Sequence, residues 1–115
     1  MPTSSLPPPF FDTARERLLS LVAGYGFRPA RVEYEQDSAF AEYWGRGLRL
    51  RLVWEGREQA LWVDVAPEAG GEVVGRWRDV EWEVAGQKLP LDQDTTDARV
   101  ERLLDAVRGC LEARR

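Results

Sequence analysis

Leu48, Leu50, Leu52 and Trp54 alternate with Arg49, Arg51, Val53 and Glu55, and after a short break Leu61, Val63 and Val65 alternate with Trp62 and Asp64. A period of two sustained this long specifies a pair of half-buried antiparallel strands, because a helix would scatter the leucines around its whole circumference. One side of the pair must join a core; the other, carrying Arg49, Arg51 and Trp62, faces water or a partner.

Register follows from parity, since a one-residue slip turns every side chain to the other face. A two-residue turn at Gly56-Arg57 sets Leu52 opposite Leu61, Leu50 opposite Val63, Arg49 opposite Asp64 and Arg51 opposite Trp62. Residues 39 to 44 (AFAEYW) form the preceding strand, with Ala39, Ala41 and Tyr43 inward so that Glu42 stays out of the core. A turn at Gly45-Arg46 then sets Glu42 opposite Arg49 and Phe40 opposite Arg51. The outer face acquires two rows: Glu42, Arg49, Asp64, and Phe40, Arg51, Trp62. Cross-strand charge pairs contribute roughly 0.2–1 kcal/mol each, and an arginine between rings about 0.5–2 kcal/mol. Local packing therefore accounts for both rows. An aromatic–arginine patch is also the composition of binding hot spots.

The flanks supply helices. Ala14, Leu18, Leu21, Val22 and Tyr25 recur at helical spacing behind a cap at Asp12, and Gly24 and Gly26 end that helix. Arg31 to Glu35 alternate as a strand with Val32 and Tyr34 on one side. RDVEWEV, with Val80, Trp82 and Val84 alternating with Asp79, Glu81 and Glu83, reads as a fifth strand that places Trp82 in the core; PEAGGEVVGRW before it reads as a loop. Val100, Leu103, Leu104, Val107, Cys110 and Leu111 form one stripe of a last helix capped by Asp94 or Thr95. The expected fold is α+β: an antiparallel meander of four to five strands with the N-terminal and C-terminal helices packed on one face. Residues 1–9, with Pro7, Pro8 and Pro9, read as a flexible proline-rich arm, and residues 10–115 as a single domain.

Several chemistries are excluded. There is no histidine and only one cysteine, so histidine bases, Ser-His-Asp or Cys-His catalysis and cysteine metal sites are absent. Cys110 sits on an apolar stripe, as a structural thiol does. No glycine motif has the context of a phosphate loop. No cofactor and no metal are expected. Two alternating acidic runs remain, Glu33, Glu35, Asp37 and Asp79, Glu81, Glu83, which would hold a divalent cation only if their strands were neighbours.

A net charge of −4 without a basic block argues against nucleic acid as partner. No apolar run approaches the roughly 18 residues of a membrane span, no signal-peptide pattern opens the chain, and one cysteine forms no intrachain disulfide. Membrane attachment is not expected, and a cytoplasmic location is. Trp77, at a loop edge between Arg76 and Arg78, is a further candidate anchor.

The order helix, GYGF, strand, YW, LRLRLVWE, strand, GRWRD, helix resembles a group of small bacterial proteins without assigned activity, over residues 11 to about 84. The shared marks are a first helix ending in Gly26-Phe27 and the Leu48–Leu52 strand. Small acidic α+β proteins of this kind are sometimes immunity or accessory partners of larger proteins, so the resemblance implies binding rather than catalysis. Three readings stand. The first is a protein-binding module of immunity or regulatory type, using Phe40, Arg49, Arg51, Trp62 and Trp77 on a partner protein. The second is a divalent-cation-dependent enzyme or ligand-binding module using the acidic strands. The third is self-association as a structural homodimer.

Overall fold

The computed structural model describes residues 9–58, 60–85 and 96–113. In chain order these form α1 (Pro9–Ala23), β1 (Arg28–Tyr34), β2 (Ser38–Gly45), β3 (Leu48–Glu55), β4 (Ala60–Ala69), β5 (Glu72–Val73), β6 (Arg78–Asp79), α2 (Val80–Ala85) and α3 (Thr96–Ala113). The sheet is an antiparallel meander in the order β1-β2-β3-β4-β5, and β6 pairs with the same edge of β4 that receives β5. The α+β class expected from the alternation is what the chain adopts.

α1 begins at Pro9, three residues before the cap expected at Asp12. Proline lacks the amide hydrogen that a first turn leaves unused, and its φ is already helical. Asp12 instead lies within the first turn, where the helix dipole favours a carboxylate. The rest of the expected arm, residues 1–8, lies outside the described residues, as do the expected caps Asp94 and Thr95.

The helix stops as the glycines indicate. Gly26 has φ 90°, its amide donates to Ala23 O at 3.0 Å, and the amide of Phe27 donates to Val22 O at 3.0 Å. Those two bonds make a Schellman motif, and Val22 and Phe27, the apolar pair that accompanies it, are both buried.

Leu18 and Val22 of α1, Tyr43, Leu50, Leu52, Val63 and Val65 of the sheet, and Val100, Leu103, Val107, Cys110 and Leu111 of α3 form one apolar cluster. Both long helices therefore cover the same sheet face. Arg99 of α3 is buried and donates to Leu61 O, tying α3 to the start of β4.

The fifth strand expected at RDVEWEV is reduced to Arg78–Asp79, after which the chain turns into α2. Asp79 Oδ1 accepts the amides of Glu81 (2.8 Å) and Trp82 (3.3 Å), an N-cap that overrides the alternating pattern. Helical spacing then buries Val80 and Glu81 and leaves Trp82 57% exposed, so Trp82 is not a core residue. Glu81 pairs with Arg102 of α3 at 3.5 Å. The loop expected over PEAGGEVVGRW is partly ordered as strand: β4 runs on to Ala69 and returns as β5 through Gly70 and Gly71, both at positive φ as a type I′ turn requires.

Candidate functional site

The outer sheet face is set by two connections, and both differ from the expected ones by two residues. Between β2 and β3 the turn is Arg46-Gly47, with φ 56° and 74°, rather than Gly45-Arg46. Gly45 serves a different need: a Cβ there would lie 2.8 Å from Gly26 O and 2.9 Å from Phe27 Cα. Between β3 and β4, Glu55 pairs with Ala60 across a four-residue connection. Gly56 presses its backbone against the β1–β2 turn, its amide donating to Asp37 O at 2.6 Å, where a Cβ would stand 2.5 Å from that oxygen. Both glycines are spent on close backbone approach. A slide of two residues keeps every side chain on its expected face and changes only its neighbours.

The rows are accordingly re-formed. Leu50 faces Val65 and Leu52 faces Val63 inside. Outside, Arg51 stands between Glu42 and Asp64, with Arg31 of β1 beyond Glu42 and Asp79 of β6 beyond Asp64. Arg49 stands between Trp44 and Ala66, and Phe40 lies in line with Val53 and Trp62. The expected pairings of Arg49 with Asp64, and of Arg51 with Phe40 and Trp62, are therefore replaced.

Arg49 is the best-held side chain of this face. Its Nη1 donates to Glu42 Oε1 at 2.9 Å, a diagonal form of the expected contact; its Nε donates to Glu68 Oε1 at 3.0 Å and its Nη2 to Gly71 O at 3.1 Å. Burial works against its charge, and the bonds to Glu42 and Glu68 more than offset this, raising its pKa. Its guanidinium also lies 5.6 Å from the centre of the Trp44 ring, and that of Arg28 lies 5.4 Å from the same ring.

Arg51 donates to Asp64 Oδ2 at 3.4 Å, and the indole of Trp62 donates to the same oxygen at 3.1 Å. The guanidinium carbon of Arg51 sits 4.0 Å from the centre of the Trp77 ring. Burial raises the pKa of Asp64, the bonds from Trp62 and Arg51 pull it down, and the nearby charge of Asp79 adds to the rise; the net direction is upward. Trp77 also lines an open cleft of about 560 Å³ with Arg76, Arg78, Asp79, Trp82 and Glu83.

All five residues singled out from the sequence, Phe40, Arg49, Arg51, Trp62 and Trp77, thus lie on or against one face. Arg51, Trp62 and Trp77 are joined through Asp64 and the ring stack. Arg49 belongs to the neighbouring Glu42–Glu68 group, and Phe40 stacks instead with Arg31 at 5.1 Å. Sequence reasoning passed over Trp44, although its parity with Phe40 and Glu42 marks it as outward-facing, and over Glu68, hidden in a stretch read as loop.

The two acidic runs are not neighbours: Glu33 is on β1 and Asp79 on β6, with β2, β3 and β4 between them, and Glu81 is buried in α2. Among the described residues no three His, Cys, Asp or Glu side chains are grouped to hold a metal ion. Among the same residues no helix is long and apolar enough to cross a membrane. Comparison of the chain with protein-family models, with curated proteins and with solved structures gives no match.

Proposed function

We propose that this chain is a non-catalytic protein-binding module whose partner docks on the outer sheet face, centred on Arg51 and Trp77. The observation that carries this reading is the ring stack of Arg51 on Trp77 at 4.0 Å, beside Trp62 and on the face opposite both long helices. Arginine and tryptophan are the side chains most enriched in binding hot spots. Here their rotamers are already held by Asp64 and the stack, so a partner would immobilise little that is free. The cleft beside Trp77 offers a socket for one partner side chain. An immunity-type or regulatory role is the form of binding that the sequence resemblance implies.

The test is affinity capture from lysate of the native organism with wild type and an Arg51→Glu, Trp77→Ala double variant of verified fold. A partner retained by wild type and lost by the variant is the expected result. A partner retained equally by both, or none captured by wild type, overturns the reading.

A further inference from the structure

The open edge of the sheet carries a self-complementary pattern. β1 is an edge strand: it pairs with β2 alone, and no described segment pairs with its other side. Which of its backbone groups face outward follows from the turn that joins it to β2. The amide of Glu35 donates to Ser38 O at 2.7 Å, and that of Ser38 to Glu35 O at 3.4 Å, so Glu35 and Ser38 exchange both bonds. Antiparallel pairing alternates bonded and non-bonded pairs. Glu33 and Arg31 therefore also direct their amides and carbonyls at β2, and those of Val32 and Tyr34 point away from the sheet.

The side chains at these two positions are exposed apolar surface. Val32 is 36% and Tyr34 46% exposed, although both lie on the helix side of the sheet, where Tyr34 packs edge-on against Phe11 and donates to Asp12 Oδ1 at 3.0 Å. A ready backbone edge with exposed apolar side chains is a site for strand addition.

We infer that the occupant is a second copy of this chain, its β1 paired antiparallel with this one about a two-fold axis at Val32. Charge selects that register. Centring the axis at Val32 places Arg31 opposite Glu33 of the other copy, and Glu33 opposite its Arg31, on the outer face. Centring it at Arg31 or at Glu33 opposes like charges directly, and centring it at Tyr34 opposes Glu33 to Glu35; directly opposed like charges destabilise a strand pair. In the Val32 register the two Val32 residues form the central hydrogen-bonded pair. Arg31 and Glu33 then fall at non-bonded positions, where side chains approach most closely. The ion pair that Arg31 and Glu33 make within each chain, at 2.5 Å, is exchanged one for one, two within chains giving way to two between them. Pro29, which has no amide to donate, and the bulge at Ala30 limit the pairing to this short central stretch.

The inference is independent of the partner surface proposed above, and charge-swap variants followed by sedimentation velocity test it. Wild type is expected to show a concentration-dependent monomer–dimer equilibrium. Arg31→Glu and Glu33→Arg, each alone, are expected to weaken it at least tenfold; mixing these two variants is expected to give a heterodimer, and the Arg31→Glu, Glu33→Arg double variant to recover self-association. Val32→Pro removes an amide that points away from β2, leaves the bonds of β1 to β2 in place, and is expected to give a folded monomer, which keeps the inference testable should a charge variant misfold. A wild type that stays monomeric at millimolar concentration overturns it. So does a dimer that survives both single swaps and Val32→Pro, or one lost instead on Arg51→Glu.

Discussion

Leu50 and Arg49 are consecutive residues of β3, and they hold the protein by different physics. Leu50 is fully buried among the side chains of both long helices and the sheet, where stability comes from apolar area removed from water. Arg49, one peptide away on the other face, is held by a fork of bonds to Glu42, Glu68 and Gly71 O. The inner face is non-directional and tolerates any neighbour of the right size. The outer face is directional: Arg49 is bonded to Glu42, Glu68 and Gly71 O, Arg51 and Trp62 to Asp64, and losing one of these groups strands its partners. The same strand thus has one side built for cohesion and another built for specified contacts.

The largest expected effect tests the inner face. Leu50→Ala should cost about 2–5 kcal/mol in urea unfolding, the transfer loss plus an unfilled cavity. A cost below about 1 kcal/mol would mean that the core collapses around the gap, and the contrast between faces would weaken.

On the outer face, Arg49→Met should cost about 2 kcal/mol, because it strands the nearly buried carboxylates of Glu42 and Glu68. Replacing all three by methionine should recover most of that loss, since no buried charge is then left alone. If the triple variant is instead as unstable as the single one, the network contributes net stability and the two faces are less distinct than argued.

The smallest effect concerns Asp64. Its pKa in the folded protein is raised above the ordinary carboxylate value of about 3.8, chiefly by burial. A raised acid binds more protons folded than unfolded in the window just above that value, so its contribution to stability rises as pH falls through the window and is lost as pH climbs out of it. Carbon-detected NMR titration should place the Asp64 midpoint above the ordinary value, and Arg51→Met should raise it further by removing an opposing cation. A midpoint at or below the ordinary value would mean that the bonds from Trp62 and Arg51 outweigh the burial.

How far these faces were legible in the sequence depends on what each inference used. Parity sufficed for Phe40, Glu42, Arg49, Arg51, Trp62 and Asp64, because alternation alone assigns a face. Register did not, because Gly45 and Gly56 were read as turn residues. Their actual task is to let the backbones of Gly26 and Asp37 come close, a tertiary requirement with no local signature. The helix stripes at Leu18 and Val22, and at Leu103 and Val107, were readable for the same reason as the strands. The exit from the sheet at Asp79 was not. Six residues of VEWEVA fit a strand as well as a helical turn, and the capping bonds from Asp79 decide between them. The position of Trp77 at a loop edge was readable, but its contact with Arg51 was not, since no pattern links Arg51 to a loop 26 positions later.

The placement of the five tryptophans has an optical consequence. Trp54 is buried in the core, Trp44, Trp62 and Trp77 are half-buried among arginines and carboxylates of the outer face, and Trp82 stands in solvent. Their emission therefore divides into separate colours and quenching environments. Occupation of the outer face and of the cleft beside Trp77 would change the middle group and Trp82 while leaving the blue component of Trp54 intact, whereas unfolding would shift Trp54 to the red. The molecule carries its own pair of reporters, one for cohesion and one for contact, with no label attached.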